Sequence, residues 1–370
     1  MKTFGKRKLS PYAKDSAISY GLVTAAFVIV SILNSMGLVS SSLQGQLVPI
    51  CCYIVMAVSL NLVVGISGEL SLGHAGFMSV GAFTGIVISG ILETSGLPDV
   101  GRLIAAILCG AIMAGVFGFL IGIPVLKLRG DYLAIVTLAF GEIIKNFMNI
   151  IYAGKDSTGF HLRTNPDLGL EPTGRMLLNG PMGATQVQRI ASFTAGFILV
   201  LVTLFIVQNL MNSKQGRAIM ACRDNRIAAE SIGLNVTKYK LMAFTVSAAL
   251  AGMGGALFGL NYSTLLPIKF NFNTSVLILV FVVLGGLGNI WGSIIAATIL
   301  TILPEALRQF ADYRMLAYAI VLILVMIATY NPFLRSRVMM LRDKIIPKKD
   351  KPDEGRKPRT RRKKSGKEVG

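Results

Sequence analysis

Long runs of apolar residues, separated by short polar segments, follow one another along most of the chain. Six of them are each about long enough to cross a hydrocarbon core, which takes roughly 20 residues of helix. They cover 18–39, 47–64, 103–125, 132–152, 190–211 and 241–260. Backbone groups exposed to lipid must bond within their own segment, so such runs are helical. The pattern therefore predicts an all-α, multi-pass membrane protein with its transmembrane domain over residues 18–330.

Three further runs, at 70–91, 274–303 and 315–330, decide the number of crossings. The run 274–303 is broken by the sequence GGLGN at 285–289. The basic segment that ends at residue 240 and the basic C-terminal end are both expected on one side of the membrane. An even number of crossings must then lie between them. We therefore expect 274–303 to make two short crossings that turn at these glycines. The prediction is about ten transmembrane helices, including short broken ones whose exposed backbone is covered by protein or lines a cavity.

The distribution of charge supports this picture and predicts an orientation. Only 15% of the residues are charged, against about 25% in soluble domains. Much of the formal net charge of +19 lies at the two ends: residues 1–17 are basic, and residues 331–370 hold 15 Lys or Arg and 5 Asp or Glu. Basic segments stay on the cytoplasmic side of a membrane. Both termini are thus expected in the cytoplasm, and the polar connection 154–189 outside.

The basic tail 331–370 has two interpretations. Clustered Lys and Arg can bind nucleic acid, or they can face the anionic lipids of the cytoplasmic leaflet. On a membrane protein the second interpretation is favoured, so we expect contacts with anionic lipids and none with nucleic acid. The tail is poor in apolar residues and is expected to be disordered.

The segment 65–77, GISGELSLGHAGF, interrupts the apolar runs with glycines and polar side chains. Glycine inside a helix costs about 1 kcal/mol relative to alanine, so these positions indicate close backbone approach or a positive φ. Two interpretations stay open: the segment lines a translocation path, or its small residues pack helices together. Candidate path residues come from this segment, from the run 132–152 and from the break 285–289. They are Gly65, Gly68, Ser71, Gly73, His74, Gly76, Glu142, Gly285, Gly286 and Gly288.

Glu142 belongs to this set because an ionisable residue within a span is a functional candidate by default. Lys145 lies three residues further on and shares its helix face. A structural ion pair between the two is therefore an equally good interpretation.

The polar loop 213–240 carries the clearest local signals. Asp224 or Asn225 can cap a short helix over 226–232, Gly233 can end it, and Asn235 can cap the helix that follows. The pattern predicts a helix–turn–helix knob with exposed charges and a small surface at Ala228 and Ala229, suited to a groove on a soluble partner. The alternative is an ordinary amphipathic linker. The candidate docking residues are Arg217, Arg223, Asp224, Arg226, Ala228, Ala229, Glu230 and Gly233.

Sequence motifs for catalysis are missing. There is no G-x-x-x-x-G-K-[ST] phosphate loop and no G-x-S-x-G nucleophile elbow. The four cysteines show no metal-ligand spacing. We therefore assign no catalytic residue, metal or cofactor to this chain, and the energy for active transport must come from an ion gradient or another subunit.

Four blocks of the sequence resemble the permease subunits of branched-chain amino acid ABC importers. They are LNLVVGISGELSLGHAGFMSVGAF at 60–83, LRGDYLAIVTLAFGEII at 128–144, the segment 216–259 that contains CRDNRIAAESIGLN, and VVLGGLGNIWGSIIAA at 282–297. The first contains the family's Gly-x-x-Gly…Ser-Leu-Gly-His pattern. The match is most similar to the second permease type of the heterodimeric pair.

The resemblance implies a fold, partners and a mechanism. The fold is expected to be like that of vitamin-B12-type ABC importer permeases, in the cell membrane. Two ATP-binding cassette subunits that bind the ATP would grip the coupling region 217–238, and a sister permease would complete the path along 65–77. An extracytoplasmic binding protein would deliver branched-chain amino acids to the outer face, and the path would open alternately to each side.

Two alternatives remain. Relatives with similar motifs carry urea, short amides or sugars, so the solute is less firmly implied than the class. The chain could also act alone as an ion-coupled secondary transporter. Such proteins keep unpaired ionisable residues in mid-membrane, and Glu142 is almost the only candidate here.

Overall fold

The computed structural model describes residues 11–307, apart from 38–39, 94–95, 129, 157–158, 167–168 and 170–173, together with residues 316, 319–320 and 323. Contacts divide the chain into two units, Met1–Tyr318 and Ala319–Gly370, and all the elements below belong to the first. The basic tail 331–370 and residues 1–10 lie outside the described residues, as does most of the predicted crossing at 315–330.

The described chain is mostly helical. Its helices are α1 Pro11–Ser35, α2 Ser41–Asn61, α3 His74–Leu92, α4 Asp99–Val125, α5 Asp131–Asn149, α6 Phe193–Asn212, α7 Lys214–Asp224, α8 Arg226–Ser231, α9 Val236–Gly259, α10 Phe272–Gly285 and α11 Ile290–Ala306. A π-helical turn, Leu62–Ser67, extends α2, and short 3-10 turns cover Gly180–Met182 and Pro267–Phe270. The strands are β1 Tyr152–Lys155, β2 Phe160–Arg163 and β3 Arg175–Asn179.

Five described helices are long and apolar enough to cross a membrane: Ser41–Ser67, His74–Leu92, Asp99–Val125, Phe193–Asn212 and Val236–Gly259. Val23–Ser35, Phe272–Gly285 and Ile290–Ala306 are shorter apolar helices. These helices support a multi-pass membrane protein, and the count of ten crossings stays a prediction.

Helix α4 has the two faces of a lipid-facing membrane helix. Ala106, Gly110 and Ala114 are buried at helical spacing, whereas Leu108 and Ile112 on the opposite side are 54% and 64% exposed. A contiguous exposed apolar stripe on a helix of this length is typical of contact with lipid.

Helices α3, α4 and α9 form the centre of the described unit and approach one another through small residues. A methyl group on Gly81 of α3 would overlap the backbone of Gly252 of α9, and one on Gly255 would overlap the carbonyl of Met78. Backbones this close are the usual form of helix packing in membranes, where small residues allow dense van der Waals contact.

The predicted division of 274–303 appears as two helices, α10 and α11. They are separated at Gly286 and Gly288, whose φ angles are +91° and +80°. Residues other than glycine rarely adopt such values, which explains why the apolar run breaks there. Whether each helix makes its own crossing stays a prediction.

One predicted boundary is wrong. The run 132–152 overshoots α5, and its last residue, Tyr152, begins β1. Hydropathy does not distinguish an apolar helix end from an apolar strand. The run 70–91, counted as a crossing, becomes α-helical at His74, and the residues before it belong to the break expected at 65–77.

A small antiparallel sheet with strand order β2-β1-β3 lies within the connection 154–189 and its flanks. The sequence analysis predicted no strand there. The sheet segment is held to the end of α9, since Ala184 and Leu265 exchange backbone hydrogen bonds of 3.0 and 2.9 Å. Helix α9 has 24 residues and is about 36 Å long at 1.5 Å per residue. Helices α7 and α8 lie at its start and the sheet segment near its end.

Candidate functional site

The first glycine break, residues 65–77, comprises the end of the π-helical turn after α2, the irregular residues 68–73 and the first turn of α3. The π-helical turn Leu62–Ser67 ends at Gly68, whose φ is +75°. All six residues of the turn are buried. Widened turns of this kind occur mostly as single insertions and are frequent at functional sites. The predicted break is therefore present, and it begins inside an otherwise buried helix.

Side chains from other helices satisfy the backbone of the break. Thr137 Oγ1 accepts a hydrogen bond from Leu72 N at 3.0 Å, and Ser275 Oγ accepts one from Ala75 N at 3.2 Å. Irregular backbone at membrane depth is tolerated only where protein or water supplies such partners. Helices α5 and α10 thus stabilise the break in this conformation.

His74 is fixed inside the bundle rather than facing solvent. It is 2% exposed, and its Nε2 lies 2.7 Å from Ser59 Oγ. The carbonyl of Ser59 in turn accepts a 2.5 Å hydrogen bond from Ser247 Oγ. These contacts join the start of α3 to α2 and α9.

Gly73, Gly76 and Ser71 are also buried. A Cβ on Gly73 would overlap the carbonyl of Thr137, and a Cβ on Gly76 would stand 2.9 Å from Gly141 Cα. Ser71 is buried, and its hydroxyl has no hydrogen-bond partner among the described residues. The glycines therefore serve close packing of α3 on α5, which was one of the two interpretations of the sequence.

The two glycine breaks lie directly against each other. Asn61 Oδ1 accepts a 2.8 Å hydrogen bond from Gly288 N, and its amide nitrogen donates to Ser293 Oγ at 3.0 Å. A Cβ on Gly65 would stand 2.8 Å from Gly288 Cα, and one on Gly285 would overlap Gly292. Asn61 was not among the predicted residues, although a lone amide within an apolar run was a signal for it.

Helices α7 and α8 form the predicted knob, defined here as residues 213–235. Asn225 accepts a hydrogen bond from Ala228 N at 3.0 Å, Gly233 has a φ of +85°, and Asn235 accepts from Lys238 N at 3.0 Å. The predicted caps and terminator are confirmed, with Asn225 as the cap rather than Asp224. Helix α8 ends at Ser231, one residue before the predicted end.

The predicted small surface of the knob is wrong at Ala229. This residue is 2% exposed and packs with Cys222 and Val236 inside the knob, because α8 needs an apolar contact to hold it on α7 and α9. Ala228 is exposed. The sequence analysis missed Ile227 and Ile232, which are 79% and 74% exposed and form the apolar part of the outer surface.

The charged residues of the knob divide into two groups. Arg217 donates to the carbonyl of Asn212 at 3.2 Å, and Arg226 pairs with Glu230 at 2.8 Å across one turn of α8. These contacts stay within the knob and the end of α6. Arg223 behaves differently, since it donates to Gly65 O at 2.8 Å and to Asp224 Oδ1 at 2.9 Å.

A second contact joins the knob side to the first break. Lys240, at the base of α9, pairs with Glu69, and the two side chains are 15% and 13% exposed. Arg223 and Lys240 therefore hold both ends of the short segment from Gly65 to Glu69. Neither contact was predictable from the sequence, since the partners are 158 and 171 residues apart.

Glu142 forms the predicted ion pair with Lys145. Its other oxygen accepts a hydrogen bond from Phe272 N at 3.1 Å, at the start of α10. The carboxylate therefore caps one helix from another, and this contact supports the structural interpretation of Glu142 in this conformation.

A cavity of about 440 Å³ lies toward the sheet end of the bundle, between α2, α3, the end of α9 and the start of α10. Its wall includes Tyr53, Tyr262 and Lys269. The sequence analysis did not single out these residues. Among the described residues, no group of three or more His, Cys, Asp or Glu is arranged to hold a metal ion.

This geometry defines a helical membrane protein whose charged knob contacts a broken helix, and comparison with known proteins identifies its family. The family model described as "Branched-chain amino acid transport system / permease component" matches residues 42–329. The chain belongs to this family, which comprises transport permeases rather than enzymes.

Individual relatives agree with the family. The permease protein LivM of a high-affinity branched-chain amino acid transport system in Escherichia coli is 37% identical over 290 residues, which cover 74% of this chain and 66% of LivM. The match thus spans just under two thirds of that relative. LivH of Salmonella typhimurium is 25% identical over 289 residues, covering 74% of this chain and 89% of LivH. BraD of Pseudomonas aeruginosa is 25% identical over 253 residues, which cover 67% of this chain and 79% of BraD.

No solved structure matches this chain. The similarity to vitamin-B12-type importer permeases therefore stays a prediction.

Proposed function

We propose that this chain is the membrane-spanning permease subunit of an ATP-driven importer of branched-chain amino acids. The observation that carries the proposal is the contact of Arg223, on the knob, with Gly65, in the first glycine break. It offers a direct route by which a force on an exposed loop reaches a broken helix inside the bundle. Membership of a permease family named for branched-chain amino acid transport supports the solute class.

The knob is the proposed docking surface for one ATP-binding cassette subunit. A second such subunit would dock on the sister permease. Ile227 and Ile232 are both strongly exposed, and the charged pair of Arg226 and Glu230 lies between and beside them in the sequence. An apolar centre with a polar rim is the usual anatomy of a protein interface. The ATP would be bound by those partners.

The opposite end, with the sheet β2-β1-β3, is the proposed face for an extracytoplasmic binding protein. Buried Arg102 stiffens this end, since it donates to Gln188 at 2.5 Å and to the carbonyl of Ser89 at 3.2 Å. A rigid surface loses less entropy when a partner docks.

In this proposal the protein lies in the cell membrane with both termini in the cytoplasm, and the transmembrane domain covers residues 18–330. The path is completed by the sister permease and passes the two glycine breaks. There Gly65 and Gly285 allow the backbones to approach, and Gly68, Gly286 and Gly288 adopt positive φ angles. ATP-driven movement of the knob opens the path alternately to each side of the membrane. The basic tail faces anionic lipids. Permeases for urea, short amides or sugars remain the second candidate class.

Reconstitution tests the proposal. The chain, its sister permease and the two ATPases are placed in liposomes, and uptake of labelled leucine delivered by the binding protein is followed. We expect uptake with ATP and none with a sodium or proton gradient alone. Gradient-driven accumulation by this chain without the ATPases would contradict the proposal, and ATP-driven uptake of urea or a sugar but not of leucine would reassign the solute.

A further inference from the structure

The lining of the cavity near Lys269 contains two chemically different sets of residues. The apolar set, called the apolar wall below, includes Tyr53, Met78, Phe258 and Leu277. The polar set includes Tyr262, Lys269, Asn273 and Thr274. The volume of about 440 Å³ falls within the roughly 300–1,000 Å³ of small-molecule pockets, which are typically apolar with a few placed polar groups.

Lys269 is an exposed residue at the mouth of the cavity, and its positive charge is not paired with a carboxylate among the described residues. Its Nζ lies 4.3 Å from the centroid of the Tyr262 ring, and it makes no hydrogen bond or ion pair with another described side chain. Desolvation by the surrounding protein lowers the pKa of Lys269 from its ordinary value. A partly desolvated cation of this kind is stabilised by an incoming carboxylate.

The apolar wall is held in place by aromatic contacts. The Tyr53 ring meets Phe258 at 6.0 Å and Phe281 at 5.9 Å, both edge to face. Phe258 also contacts Phe270 at 6.2 Å. Such contacts fix the rings, so the wall presents a preformed surface to an aliphatic side chain.

Helix α10 connects the cavity to the second glycine break. Lys269 follows Leu265, which is bonded to the sheet segment at Ala184. From there α10 runs to Gly285, at the second break. The cavity is thus near the start of α10 and the breaks are at its end.

We infer that this cavity binds a zwitterionic amino acid with an aliphatic side chain, its carboxylate on Lys269 and its side chain on the wall formed by Tyr53, Met78 and Phe258. The amide oxygen of Asn273 is available to the ammonium group. The inference rests on the proposed function and deepens it by assigning the recognition of the solute to named residues of the permease.

A thiol-protection experiment tests the inference without ATP or uptake. Leu277 is replaced by cysteine as a reporter in the cavity wall of the full chain, purified in lipid nanodiscs. Cys109 is replaced by alanine, since the other three native cysteines are buried. The rate of labelling by an anionic methanethiosulfonate is measured with three probes: L-leucine, 4-methylpentanoate, which lacks the ammonium group, and 3-methylbutylamine, which lacks the carboxylate.

We expect L-leucine and 4-methylpentanoate to slow the labelling severalfold and 3-methylbutylamine to leave it unchanged. Lys269→Gln should weaken protection by leucine about ten- to a hundredfold, the value of a charge-assisted hydrogen bond. Lys269→Arg should keep it, which also controls for folding. Arg163→Gln, which removes one positive charge from the exposed strand β2, should match the parent.

Two results would overturn the inference: no protection by saturating leucine, or equal protection in the parent and in Lys269→Gln. Failure of the proposed function is distinguishable, because it would appear as absent ATP-driven uptake in the reconstituted assembly while leucine still protects the cavity. Conversely, uptake that persists without protection would leave the function standing and remove this site.

Discussion

Arg223 Nη1 donates a hydrogen bond to Gly65 O at 2.8 Å, and so joins the last turn of α7 to the π-helical turn after α2. The guanidinium is held in position by Asp224, whose Oδ1 accepts from both Nε and Nη2 at 3.0 and 2.9 Å. The stem of the same side chain covers Gly68, where a Cβ would stand 2.6 Å from Arg223 Cγ. The knob therefore rests directly on the first glycine break, and movement of one must displace the other.

The close approach of the two breaks predicts a strong effect of a single methyl group. Gly65→Ala should lower the free energy of unfolding by roughly 1–3 kcal/mol, because overpacking forces the backbone of Gly288 away. Thermal unfolding in nanodiscs measures the change. Gly45→Ala is the matched control in α2, since nothing lies within 4 Å of that position, and it should leave stability unchanged or raise it by up to about 1 kcal/mol. Equal stability of the two variants would refute the contact.

Asn61 is expected to fasten the second break to the first. Asn61→Leu should cost roughly 1 kcal/mol, because it leaves the part-buried Gly288 N–H without its acceptor. Hydrogen exchange at Gly288 should become faster in the variant, measured by mass spectrometry. Asn34→Leu changes an exposed asparagine at the end of α1. It should neither lower stability nor speed hydrogen exchange at Gly288. Unchanged exchange at Gly288 in Asn61→Leu would show that the side chain is dispensable.

The Lys240–Glu69 pair predicts a charge-swap rescue. Lys240→Glu should reduce stability by about 1–3 kcal/mol, below the range for breaking a fully buried pair because this pair is only part-buried, and should impair leucine uptake in the reconstituted assembly. Combining it with Glu69→Lys should restore both. A double variant no better than the single one would mean that the two side chains act independently.

The knob surface predicts where the ATPase docks. Replacing both Ile227 and Ile232 by Asp should abolish co-purification of the ATPase with the permease, because carboxylates cannot be desolvated in an apolar contact without a partner. Leu162→Asp, at an apolar residue of the sheet that is 60% exposed, should co-purify normally. ATPase binding that survives the double substitution would place the docking surface elsewhere.

The cap of α8 predicts a local change in the knob. Asn225→Ala should cost about 1 kcal/mol, equivalent to about fivefold faster exchange of the α8 amides. Asn225→Asp keeps a capping oxygen and should exchange like the parent. If the alanine variant also exchanges like the parent, the cap contributes nothing to the order of the knob.

Local signals made several of these features predictable. The glycines of 65–77 and 285–289 located both breaks, and Asn225, Gly233 and Asn235 located the caps of the knob, because capping and positive φ depend on residues close in sequence. The contacts of Arg223 with Gly65 and of Asn61 with Gly288 were not predictable, since each joins positions far apart in the chain. Local propensity contains no information on such pairs.

The sheet and the cavity escaped prediction for a related reason. Each strand has only four or five residues, too few for an alternating pattern to be distinguished within a polar loop. Lys269 is a lone cation between two apolar runs, and only the folded chain places it beside Tyr262 and Tyr53.

The most direct test of the account measures leucine imported per ATP hydrolysed in assemblies that carry Arg223→Met. The substitution keeps most of the apolar stem but removes the hydrogen bond to Gly65. We expect the variant to assemble and hydrolyse ATP while its import per ATP falls severalfold. Lys238→Met, an exposed lysine nearby on α9, should retain the parent ratio. If Arg223→Met also retains the parent ratio, force does not pass from the knob to the broken helix through Arg223, and the central claim is contradicted.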